Sequence, residues 1–153
     1  MIKPIRIVVV GATGKMGQTL IQEISNDRSL HLSAAVDLSS STYIGHDAGS
    51  LLGLKTNVII AGTLTEDHAN NDILIDFTRP EASLFYLDFC ITHNINYVLG
   101  TTGFNDDEKE KIYAGAKKIA ICFAPNMSVG VNLLISLVEA ATKVLHNEFD
   151  IEI

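Results

Sequence analysis

The 153-residue chain is 47% hydrophobic and 19% charged. That balance excludes a disordered segment and suits one well-cored domain, or one domain with part of a second. Its formal net charge of −7 argues against a nucleic-acid partner, which needs a basic face to displace counterions.

Residues 5–10 (IRIVVV) are apolar at nearly every position, as expected of a strand buried on both faces of a parallel sheet. No signal peptide precedes this run, and no apolar stretch is long enough to span a bilayer without a charge or turn. Residues 15–25 follow as a helix, with Met16, Leu20 and Ile24 on one stripe. Residues 30–36 read as a second strand closed by Asp37, and residues 38–56 as a Ser- and Gly-rich loop carrying a helical turn. Short strands are expected at 57–61 and 73–77.

Thr78 is expected to cap the next helix, with Pro80 in its first turn and Glu81 completing a capping box. That helix runs to about His93. A strand over 97–100 follows, then a helix capped by Asn105 with Asp106, Asp107 and Glu108 in its first turn. The last strand of the series covers 119–123. Strand and helix alternate throughout, which predicts an α/β fold with a Rossmann-type doubly wound parallel sheet.

Beyond Pro125 the pattern changes. Residues 129–145 form a helix apolar almost all round, which implies burial on two sides. Residues 149–153 (FDIEI) alternate like a strand. This helix and strand are expected to open a second α+β domain that is incomplete here, with residues 1–127 as the first domain and 128–153 as the start of the second. The apolar helix and unpaired strand would promote self-association of the isolated piece.

The loop Gly11-Ala12-Thr13-Gly14-Lys15-Met16-Gly17 has the spacing G-x-x-G-x-x-G between a strand and a helix. Small residues let the backbone turn tightly beside a pyrophosphate, and the open amides of the helix start face the anion. Asp37 lies 20 positions after Gly17, where a carboxylate accepts hydrogen bonds from both hydroxyls of an adenosine ribose. Leu38, Ser39 and Ser40 follow it, and none is an Arg or Lys that could pair with a 2′-phosphate. The pattern therefore predicts NADH as preferred cofactor over NADPH, with Lys15 reaching toward the adenosine end.

With these residues in view, the chain resembles the dihydrodipicolinate (4-hydroxy-tetrahydrodipicolinate) reductase family. The glycine loop is common to many Rossmann proteins. Residues 75–81 (IDFTRPE), 99–104 (LGTTGF) and 124–132 (APNMSVGVN), in this order and spacing, are specific to that family. The resemblance implies NAD(P)H-dependent reduction of a cyclic unsaturated dicarboxylate in bacterial lysine and diaminopimelate synthesis. It also implies cofactor contacts at Gly11, Ala12, Thr13, Gly14, Lys15, Met16, Asp37, Gly100, Thr101, Thr102, Ala124, Pro125, Asn126 and Met127, a homotetrameric assembly, and catalytic residues beyond Ile153. Thr13 stands where some members have Gly, and Leu38 where some dual-cofactor members have Arg.

The residues themselves agree with this assignment. Gly100-Thr101-Thr102 follows a strand at its carboxyl end, where open α/β sheets bind ligands, and two hydroxyls there suit the nicotinamide side. Asn126 has an amide for the carboxamide or for a hinge. Arg79 suits either stacking on adenine or a solvated helix start. The five histidines (His31, His46, His68, His93, His146) share no metal-ligand spacing and read as structural or solvated, so no metal is expected. Cys90 and Cys122 have neither disulfide nor metal spacing and read as buried thiols in a reducing cytoplasm. Two other readings remain at this level: an NAD(H)-binding module or sensor without catalysis, and another Rossmann dehydrogenase. Tyr113 and Lys117 have the Tyr-x-x-x-Lys spacing of short-chain enzymes, but no suitable upstream serine accompanies them.

Overall fold

The structure, a computed structural model, describes residues 3–145. His146 and the strand expected at 149–153 lie outside the described residues. The chain divides into two compact units, Met1–Phe123 and Ala124–Ile153.

The first unit alternates strand and helix: β1 (Ile5–Val10), α1 (Lys15–Asn26), β2 (Leu30–Val36), β3 (Ile60–Ala61), β4 (Ile73–Asp76), α2 (Pro80–His93), β5 (Asn96–Leu99), α3 (Asp106–Gly115) and β6 (Ile121–Phe123). The six strands form one sheet in the order β3-β2-β1-β4-β5-β6, with every strand pair parallel. The doubly wound sheet expected from the alternation is the one observed. The winding reverses between β1 and β4, which pair with Val10 opposite Asp76.

The sequence of β1 explains why both faces are covered. Successive strand residues point to opposite faces. Ile7 and Val9 enter one core cluster with Ile21 and Ile24 of α1. Val8 and Val10 enter another with Leu87 and Cys90 of α2 and Ile112 of α3. Each such aliphatic side chain, fully buried, contributes roughly 1.5–3 kcal/mol, so a charge in place of Ile7, Val8, Val9 or Val10 is excluded, whereas Arg6 lies nearer the start of the strand and pairs with Asp72.

Local signals mostly set the element ends. Asn105 accepts from the Glu108 amide while the Glu108 carboxylate accepts from the Asn105 amide, a reciprocal cap of α3. Two departures have clear causes. The buried stripe of α1 is Gly17, Ile21 and Ile24, with Met16 46% exposed. Gly17 takes the contact because α1 approaches the glycine loop too closely for a side chain. The cap expected at Thr78 is not formed either. Arg79 holds the N-cap position of α2 without a side-chain bond, because the Thr78 hydroxyl turns to Asp76. Pro80 does occupy the first turn. The strand expected at 57–61 shrinks to Ile60–Ala61, since Asn57 adopts a positive φ of 59°. Cys90 is buried but Cys122 is exposed, against the expectation of two buried thiols. Cys122 lies on β6, the edge strand of the sheet.

The second unit contains α4 (Val129–Leu145), the apolar helix expected from the sequence. The Ser128 hydroxyl accepts from the Val131 amide at 3.3 Å, which satisfies one open donor of its first turn. No described residue of α4 is buried. Among the described residues no helix is long and apolar enough to cross a membrane.

The loop before β3 is closed by Asp47. Burial raises its pKa, but hydrogen bonds from Thr56, Gly49 and Asn57 outweigh that and hold the carboxyl at about 2. A carboxyl held below its unfolded value stabilises the fold above the unfolded pKa and loses that contribution as pH falls through the folded one. Asp47→Asn should therefore lower the melting temperature at neutral pH and flatten its fall between about pH 4 and 2. Thermal melts across that range check this; an unchanged acid limb would exclude Asp47 as its source.

Candidate dinucleotide site at the carboxyl ends of the strands

β1 ends at Gly11, whose φ of +68° is a left-handed conformation that favours glycine. A Cβ there would also sit 2.9 Å from Thr78 Cγ2. The chain turns back through Gly14, whose amide donates to the Gly11 carbonyl at 3.0 Å, and enters α1. A Cβ on Gly17 would lie 2.2 Å from the Gly11 carbonyl oxygen, so α1 packs backbone to backbone on the loop. No side chain caps α1. Among the described residues, no acceptor reaches the amides of Lys15, Met16 and Gly17. Three open amides at the start of a 12-residue helix, with the helix dipole behind them, form a cradle suited to a diphosphate.

Asp37 sits at the end of β2 beside this loop. Its Oδ2 accepts from the Thr13 amide at 2.7 Å and the Thr13 hydroxyl at 2.6 Å. Its Oδ1 accepts from the Leu38 amide at 2.7 Å. The sequence placed Asp37 at a ribose position but gave no sign that Thr13 holds it. A cavity of about 330 Å³ opens here, lined by residues that include Asp37, Leu38, Arg79 and Tyr86. Arg79 thus reaches the same cavity as Asp37. Tyr86 is nearly buried, and its phenol pKa is raised by burial and then by the negative charges of Asp76 and Asp37.

The second strand-end group is built on Asp76, fully buried at the end of β4. Its Oδ1 accepts from the Thr78 amide at 2.7 Å, the Thr78 hydroxyl at 2.6 Å and the Thr101 hydroxyl at 3.3 Å. Its Oδ2 accepts from the Tyr97 phenol. Ser83 donates to the Thr101 hydroxyl at 3.0 Å. Burial, then the Asp76 charge, push the Tyr97 phenol well above its ordinary range, so it acts as a donor. This network ties the turn after β4 to the turn after β5. It also revises one expectation: Thr101 is 3% exposed with its hydroxyl directed into the network, and only Thr102 presents an exposed hydroxyl. An aspartate closing the apolar strand ILID was the available signal for this buried carboxyl.

Gly11 to Met16 and Asp37 are brought together, and Gly100 to Thr102 lie at the same end of the sheet. Ala124, Pro125, Asn126 and Met127 belong to the second unit. There Asn126 Oδ1 accepts from the Ser128 amide at 3.0 Å. Its buried Nδ2 has no partner among the described residues. Tyr113 is 59% exposed on α3, with its ring 6.5 Å from that of Phe123. Among the described residues no three His, Cys, Asp or Glu side chains gather as metal ligands.

A parallel sheet that reverses at β1/β4, a glycine turn with open helix amides and an acidic residue at the end of β2 define a Rossmann-type dinucleotide-binding domain. Residues 5–127 match the family described as dihydrodipicolinate reductase, N-terminus. The chain belongs to this family. It is 47% identical over 149 residues to the 4-hydroxy-tetrahydrodipicolinate reductase of Nitrosomonas eutropha, covering 97% of this chain and 56% of that protein. It is also 47% identical over 148 residues to that of Herminiimonas arsenicoxydans, covering 97% and 55%. The chain therefore spans about half the length of the curated relatives it matches. Its fold is similar to that of a dipicolinate-bound dihydrodipicolinate reductase from Paenisporosarcina sp. TG-14, with a TM-score of 0.67 and 24% identity over 91% of this chain and 54% of that one.

The Asp76 network makes a direct demand on stability. Tyr97→Phe removes a buried donor and should cost about 1–3 kcal/mol, read as a lower denaturant midpoint. An unchanged midpoint would mean that the phenol does not support Asp76.

Proposed function

We propose that this chain supplies the cofactor-binding part of an NAD(P)H-dependent reductase that converts 4-hydroxy-tetrahydrodipicolinate to tetrahydrodipicolinate in bacterial lysine and diaminopimelate synthesis. The observation that carries the reading is the cradle of open α1 amides beside Asp37, in a chain of this family. Residues 1–127 act as the cofactor domain, and residues 128–153 belong to a domain for substrate binding and homotetramer assembly. The acting compartment is the cytoplasm. The catalytic residues are assigned to the part of the relatives that this chain does not match.

The chain's own residues would divide the work as follows. The amides of Lys15, Met16 and Gly17 hold the diphosphate, and Asp37 holds the adenosine ribose. Ala124, Pro125, Asn126 and Met127 are assigned as cofactor contacts by the family resemblance alone, and Gly100, Thr101 and Thr102 orient the nicotinamide half. Thr101 does so through its backbone, since its hydroxyl is committed to Asp76. A bound dihydronicotinamide supplies the hydride. NADH is favoured over NADPH, because a 2′-phosphate would meet the Asp37 carboxylate with no cation among Leu38, Ser39 and Ser40.

Titration of the protein with NADH, followed by fluorescence, should show binding that Asp37→Ala weakens roughly tenfold, the scale of a lost charge-assisted hydrogen bond. Addition of the cyclic substrate to these 153 residues should produce no turnover. Turnover would relocate the catalytic groups into this chain, and failure to bind either dinucleotide would overturn the cofactor assignment.

A further inference from the structure

A carboxylate has two oxygens and about four acceptor positions. At Asp37 three are taken by the protein itself. The Thr13 amide and hydroxyl fill both positions on Oδ2, at 2.7 and 2.6 Å. The Leu38 amide fills one on Oδ1, at 2.7 Å. One position remains, whereas a ribose with free 2′ and 3′ hydroxyls presents two donors. The Thr13 hydroxyl is therefore in competition with the ribose for this carboxylate. The same hydroxyl draws charge from Oδ2, so an incoming 2′-phosphate meets a weaker repulsion than a bare carboxylate would exert.

We infer that Thr13 is a selectivity-determining residue of the dinucleotide site, whose hydroxyl moves the preference between NADH and NADPH toward parity. The inference rests on the assignment of Asp37 to the adenosine ribose. Both effects act in one direction on the ratio of affinities: the hydroxyl withholds an acceptor from NADH and shields NADPH from the carboxylate. Thr13 is well placed for a persistent effect. Its carbonyl accepts from Gln18 Nε2 at 2.8 Å, which fixes the peptide to α1. Its amide also bonds Asp37, so the carboxylate stays oriented when the side chain is changed. Thr13 does not have a positive φ, and valine has the same branching, so Thr13→Val removes the hydroxyl with little other change. Arg79 and Glu81 line the same cavity. They remain in every variant and so contribute to the starting ratio but not to its change.

The test is the pair of dissociation constants for NADH and NADPH, measured by fluorescence titration on the wild-type protein, Thr13→Val, Thr13→Ala and Thr13→Ser. Melting temperatures show which variants are folded, and the alanine variant serves if valine packs badly. The ratio Kd(NADPH)/Kd(NADH) should rise about three- to tenfold in the valine and alanine variants, the scale of one charge-assisted hydrogen bond. It should stay within about twofold of wild type in the serine variant, which restores the hydroxyl donor. An unchanged or falling ratio in the folded hydroxyl-free variants, with wild-type binding intact, overturns the role of Thr13 alone. Wild-type protein that binds neither dinucleotide overturns the Asp37 assignment and this inference together.

Discussion

β1 is buried on both faces, with Ile7 and Val9 against α1 on one side and Val8 and Val10 against α2 and α3 on the other. A strand in that position has helices leaving its neighbours in opposite directions, and the ends of β1 and β4 are left uncovered between them. The crevice at this reversal is where the glycine turn, Asp37 and the turn after β4 converge. A polar residue in place of Ile7, Val8, Val9 or Val10 would cost a core contact, so this apolar stretch of β1 fixes what the sheet packs against on both faces.

The glycine turn is shaped by two close approaches. Gly11 is in a left-handed conformation against the Thr78 methyl, and Gly17 lets the α1 backbone touch the Gly11 carbonyl. Those contacts bring the start of α1 over the end of β1 with its first amides open. The acidic residue that follows β2 is then drawn to the loop by Thr13. The open amides of α1 and the Asp37 carboxylate are thus one connected piece of structure, joined through Thr13.

The Asp76 network does a different task. Four donors from Thr78, Thr101 and Tyr97 converge on a carboxyl with no solvent exposure. A buried polar group is tolerated only when it is fully bonded, so this arrangement holds the turns after β4 and β5 in one relation to each other. Its cost is visible in the lost helix cap: the Thr78 hydroxyl bonds Asp76 and leaves the α2 N-terminus to Arg79 and Pro80. Cys90 shares that interior, and burial followed by the charge of Asp76 pushes its thiol up to about 12, which keeps it inert.

The sequence by itself determined the strand and helix alternation, the sheet class, the glycine turn and the position of Asp37. These rest on residue spacing and on backbone preferences that are local in the chain. The family segments at 75–81, 99–104 and 124–132 were legible for the same reason. Only the tertiary structure decided where the side chains point. Met16 gave way to Gly17 and Ile21 on the buried stripe because a helix against a glycine turn has no room for a longer residue. Thr78 left its helix cap, and Thr101 turned inward, because a carboxyl distant in the chain lay closer than solvent. Thr13 met Asp37 across 24 positions of sequence, a partnership that arises only when β1 and β2 lie side by side.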